Sequence, residues 1–278
     1  MAPTQVSARV PAVFPVTGRW LAPPLPREHG AWAWLLLPLV VGGAAAGSAN
    51  APLLLLAAGS LAAYLARAPL EMAPRRPAQR RAYLAWAALY GVAALLTLAP
   101  LLLYYQRWGL LPLGAMGSAI ALPVLLSRRL RYRWRAQGEL LVVAGLSLLA
   151  PAAYHAAGGD LDGQAAALWL LPALYGAGSI FYVRMLFEHR RSDSPAGVSG
   201  DRHAAAFFLS ILWITMGAGT LSGFIPPLTP VAFLPTTLKA ALALARRTTV
   251  KSVRRTGVVE VLHAGLFAAL LVVAYALE

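Results

Sequence analysis

Along most of this chain the apolar positions neither alternate nor keep to one helical face; they run on for roughly 20 residues and stop at charges, Pro or Gly. A bilayer core about 30 Å thick is crossed by a helix of about that length, because in hydrocarbon every backbone polar group must be satisfied within the segment. The runs fall at 30–48, 51–66, 83–105, 109–126, 139–157, 165–187, 203–224, 228–245 and 258–277. They predict an all-α polytopic membrane protein of about nine transmembrane helices, hereafter the first to ninth spans. The connections are too short to hold a second domain, so residues 27–278 form one transmembrane unit and any site lies inside the bundle or at its mouth. Residues 1–26, Pro-rich from Pro3 to Pro26 and without an apolar core, read as a flexible tail rather than a signal peptide.

Composition agrees, with 59% hydrophobic and 12% charged residues and a mean hydropathy of +0.63. The net charge of +14 by itself suggests a nucleic-acid binder, but its distribution excludes that partner. If the N-terminus is inside, alternating loops place every Lys and Arg except Arg107 on or toward one side. That asymmetry is the positive-inside pattern. It predicts a bacterial plasma (inner) membrane protein with a cytoplasmic N-terminus and, after an odd number of spans, an external C-terminus. The basic loops would be 67–82, 127–138, 188–202 and 246–257, with anionic lipid headgroups as their default partner. The chain has no cysteine, which excludes disulfides, thiolate chemistry and Fe–S clusters.

Ionisable residues at membrane depth are functional candidates. Glu28 and His29 stand where the first span enters, although a carboxylate at a helix start also complements the helix dipole. Arg184 and Glu188, four apart at the end of the sixth span, read either as an ion pair or as part of an anion or metal site with His189 and Asp193. Lys239 lies seven residues inside Arg246; it either snorkels to the interface or faces inward as a phosphate or carboxylate partner. Arg67, Arg75 and Arg76 gather after the second span and suit bidentate binding of an anionic headgroup. Glu260 and His263 have the Glu-x-x-His spacing of metal-binding bundles, but such sites use two copies and this chain has one.

The run from Arg27 through Glu28, His29, Gly30, Ala31 and Trp32 to Pro38 resembles the opening signature of the YwiC-like family of bacterial membrane proteins, and the likeness continues thinly through Phe181 to Arg184 and Gly257 to Glu260. More distantly, the chain resembles the UbiA superfamily of intramembrane prenyltransferases, which have nine helices, an inside N-terminus and functional loops after the second and sixth. That resemblance implies a UbiA-like bundle and a Mg²⁺ site of Asp-rich motifs that neutralises a diphosphate leaving group. This sequence departs from it. Tyr64, Arg67 and Glu71 stand near the first motif, and the second is reduced to Glu188 and Asp193, which the resemblance makes the metal ligands if Mg²⁺ is used.

Three functions follow as expectations. The first is a bundle holding an isoprenoid or other lipidic substrate by its anionic end, with or without an atypical prenyl transfer. The second is a transporter whose buried charges line a path, and the third is a non-catalytic assembly subunit. Glu28, His29, Arg184 and Glu188 are the candidate reactive groups, and Arg67, Arg75, Arg76 and Lys239 the candidate anion-binding ones.

Overall fold

A computed structural model describes residues 23–25, 29–126, 135–187, 200–246, 248 and 252–278. Among them there are only helices, α1 (His29–Ala45), α2 (Ala51–Met72), α3 (Arg80–Leu103), α4 (Leu110–Leu126), α5 (Arg135–Ser147), α6 (Leu149–Ala157), α7 (Gly163–Phe187), α8 (Gly200–Leu221), α9 (Thr229–Ala245) and α10 (Val253–Ala276), with one 3₁₀ turn at Pro77–Gln79. Each apolar run is thus helical. Six described segments are long and apolar enough to cross a membrane: Ala51–Met72, Pro77–Leu103, Gln137–Ala157, Gly163–Phe187, Gly200–Leu221 and Val253–Ala276. The apolar parts of α1, α4 and α9 are shorter, at Trp34–Ala45, Leu110–Ile120 and Thr229–Ala245. Length and composition therefore establish the polytopic helical class for six spans rather than nine.

Two of the differences from the sequence reading have a clear local cause. The second run was expected to end at residue 66, before a basic loop. Instead α2 continues to Met72, because Arg67 pairs with Glu71 one turn later at 2.8 Å and the helix accommodates Pro69. The fifth run is one segment in two helices. Pro151 has no N–H to offer the carbonyl of Ser147, and the helix is interrupted at Leu148.

The packing turns on α1, which lies against α5, α6, α7 and α10 and also touches α2. Gly42 makes this possible: a Cβ there would stand 2.0 Å from the Ala150 carbonyl oxygen of α6. Small residues at such crossings let backbones meet where no hydrophobic force between helices exists. The turn after α1 is tied to the far end of α6, since Asn50 caps α2 by accepting from Leu53 N (3.1 Å) while its amide donates to Ala157 O (2.7 Å). Beyond α1, the helices α7, α8, α9 and α10 enclose a core of Leu168, Leu171, Leu212, Met216, Phe233 and Phe267.

Candidate functional site

The site begins with a column of aromatic rings in that core. Trp34 of α1 lies 5.8 Å from Tyr175 of α7, Tyr175 stacks on Phe267 of α10 at 4.2 Å, and Phe233 of α9 meets Phe267 edge-on at 5.0 Å. Such contacts fix the relative rotation of the helices as well as their spacing. One turn further toward the basic end, the same three helices place polar side chains against each other: Ser179 and Tyr182 from α7, Lys239 from α9 and Glu260 from α10.

These four residues form a network. Lys239 Nζ is 2.5 Å from Glu260 Oε1. The Ser179 hydroxyl donates to Glu260 Oε2, also at 2.5 Å, so both carboxylate oxygens are engaged. Lys239 Nζ further sits 4.3 Å from the centre of the Tyr182 ring, a cation–π contact. The Lys239 and Glu260 side chains are only 13% and 14% exposed. A buried charge is retained at such depth only when paired and hydrogen-bonded, and here each partner supplies what the other needs.

Two spaces meet at this pair. On its inner side is a cavity of about 20 Å³ touching Tyr175, Ser179, Thr237, Lys239 and Glu260. The Tyr175 hydroxyl and Thr237 Oγ1 are buried without a hydrogen-bond partner among the described residues. On its outer side is an open pocket of about 400 Å³ lined by Tyr182, Leu238, Lys239, Leu242, Arg246 and His263. Lys239 and Tyr182 border both, so the ion pair is the partition between them. His263 Nδ1 lies 2.8 Å from the Val259 carbonyl oxygen. A carbonyl only accepts, so Nδ1 carries the proton and a neutral ring keeps the Nε2 lone pair.

Of the residues named from the sequence, Lys239 faces inward, and its carboxylate partner is within the chain. Glu260 and His263, weighed there as a metal pair, have other partners, and among the described residues no group of three His, Asp or Glu could hold a metal ion. Arg184 pairs with Asp201 Oδ1 at the start of α8, at 3.6 Å, which links α7 to α8. Arg67 is engaged by Glu71, while Arg75 and Arg76 are exposed beyond the end of α2. Glu28, Glu188 and Asp193 lie outside the described residues, and of His29 only the helical backbone is described. Ser179, Tyr182 and Thr237 were not singled out from the sequence. A hydroxyl residue in an apolar run carries no signal of its own, although Tyr182 lies within the Phe181 to Arg184 stretch that carries the family likeness.

The fold and this buried charge network define a polytopic helical membrane protein with an ionisable centre between three helices. The chain belongs to the YwiC-like family: the family model described as "YwiC-like protein" matches residues 25–154. The chain is also 30% identical to the "Uncharacterized protein YwiC" of Bacillus subtilis (strain 168), over 253 residues covering 89% of this chain and 96% of that protein. No solved structure matches.

Proposed function

We propose that this protein is a nine-span bacterial inner-membrane protein that binds a lipidic anion, with the open pocket between α7, α9 and α10 taking the head group from the cytoplasmic side. The observation that carries this is the composition of that pocket. Lys239, Arg246 and His263 supply cationic or hydrogen-bonding groups, while Leu238 and Leu242 present an apolar wall. About 400 Å³ is within the range of small-ligand sites. The three shorter helices complete the count of nine. With the N-terminus inside, the ends of α7 and α9 and the start of α10 all come to the basic face. An amphipathic anion satisfies both kinds of wall, whereas a free inorganic anion uses only one. Isoprenoid phosphates belong to this class. If prenyl transfer occurs, its metal would come from Glu188 and Asp193.

Binding to the full chain in dodecyl maltoside, followed by calorimetry, tests the reading with four probes: dioctanoyl phosphatidylglycerol, farnesyl diphosphate, dioctanoyl phosphatidylcholine and inorganic phosphate. The lipidic anions should bind, and the zwitterion and free phosphate should bind at least about tenfold more weakly. Arg246→Gln removes a charge-assisted hydrogen bond and should weaken the anionic lipids by about tenfold. Equal affinity for phosphatidylcholine and phosphatidylglycerol, or an indifferent Arg246→Gln, refutes the site. Tighter binding of farnesyl diphosphate than of phosphatidylglycerol assigns the isoprenoid class.

A further inference from the structure

The proposed head-group pocket and the buried ion pair share one cation. Lys239 lines the open pocket, yet its ammonium is 2.5 Å from Glu260, which borders the small cavity. An anion entering that pocket competes with Glu260 for the same ammonium. If Lys239 turns outward to the ligand, Glu260, 14% exposed in the paired state, is left with no cation against it, beside a cavity of about 20 Å³. In mildly acidic solution, leaving an uncompensated carboxylate at that depth is more costly than protonating it.

From this geometry we infer that binding of the lipidic anion is coupled to uptake of one proton by Glu260, so that the Lys239–Glu260 pair is a charge-exchange switch. The inference rests on the binding reading above. The step balances in charge. The ligand's negative charge replaces that of Glu260 beside Lys239, and a proton from the aqueous face converts the Glu260 carboxylate to a carboxylic acid.

The surroundings suit both states of Glu260. In the paired state the Ser179 hydroxyl donates to Oε2. In the protonated state that hydroxyl can rotate to accept, since a hydroxyl is both donor and acceptor. Two further hydroxyls, Tyr175 and Thr237 Oγ1, border the same small cavity without partners among the described residues, and Tyr175 is only 3% exposed. The cavity exceeds the roughly 10–15 Å³ that one water requires, so a single water can join these hydroxyls to Glu260. Such a water relays the proton and solvates the acid.

Among the described residues, the other groups facing the pair are Tyr175 and Tyr182 from α7, Arg246 from α9 beside Lys239, and His263 from α10 beside Glu260, while α8 contributes the apolar Leu209 and Leu212. His263 is a second group in the pocket able to accept a proton, so it needs its own control.

Phosphatidylglycerol is the right probe because its phosphodiester does not titrate near neutral pH, so any proton taken up belongs to the protein. Calorimetric titration of the full chain with dioctanoyl phosphatidylglycerol, in buffers of different ionisation enthalpy at pH 5.5, counts protons per lipid bound. Wild type should take up about one proton, and its affinity should fall by up to about tenfold per pH unit as the pH rises toward neutrality. His263→Gln should take up the same number. Lys239→Arg/Glu260→Gln keeps a permanent cation to hold the lipid and should take up none. Lys239→Gln/Glu260→Gln, which leaves no charge unpaired, should bind more weakly and show affinity independent of pH. Wild-type binding without proton uptake overturns the switch, as does uptake that survives in either double variant or disappears in His263→Gln. Those results leave the binding site standing, whereas failure of wild type to bind phosphatidylglycerol at all overturns both.

Discussion

Replacing the two members of the buried pair separately and together has an outcome that the structure sets in advance. Lys239→Gln leaves the Glu260 carboxylate with Ser179 alone, and Glu260→Gln leaves the ammonium against Tyr182 and a neutral amide. Removing one member of a buried pair costs about 3–5 kcal/mol. With 13% and 14% exposure toward an open pocket, partial hydration puts each single change near the lower end, at about 3 kcal/mol. The double change puts two neutral amides of similar size in contact and loses only the charge-assisted part of the bond, about 1 kcal/mol. Independent effects would sum to about 6 kcal/mol, so the cycle should return a coupling of about 5 kcal/mol. Thermal unfolding in detergent, read by tryptophan fluorescence, should order the proteins as wild type, double variant, then both single variants. The singles should fall by about 6–12 °C and the double by about 2–4 °C. If the double variant is as unstable as the sum of the singles, or if either single lies within about 1 kcal/mol of wild type, the pair is not desolvated and the argument for the switch fails with it.

Gly42→Ala should destabilise by at least about 3 kcal/mol in the same assay, because its Cβ meets the Ala150 carbonyl oxygen, and backbone cannot rotate away. Gly91→Ala, which meets nothing within 4 Å, should be neutral or slightly stabilising. Asn50→Ala loses both the α2 cap and the bond to Ala157 and should cost about 1–2 kcal/mol, whereas Asn50→Asp should recover the cap but not the amide bond. Reporter fusions should place the N-terminus in the cytoplasm and the C-terminus outside; an active cytoplasmic reporter at Glu278 would reverse the assigned face of the pocket.

The helical segments were legible in the sequence because the bilayer imposes its demand locally: about 20 apolar residues in a row, whatever they later touch. The fifth run reads as one helix, and its interruption near Leu148, just before Pro151, emerged with the structure, whereas the basic asymmetry was visible in the loops alone. Partnership was not. Lys239 and Glu260 are 21 positions apart, and Ser179 is 81 from Glu260. In a continuous apolar run no periodicity marks the face that carries a partner, so Lys239 could equally have reached the interface. Arg184 shows the same limit, since its partner Asp201 comes from the start of the next helix. Arg67 and Glu71 show it in reverse: their spacing of four was visible, but only the continuation of α2 to Met72 made them a helical pair. The chain by itself determined which segments are helical and apolar, because hydropathy is a property of residues. The tertiary structure decided where a charge could remain inside, because that depends on which helices Gly42 and the Tyr175–Phe267 stack allow to approach and on what each brings to the contact.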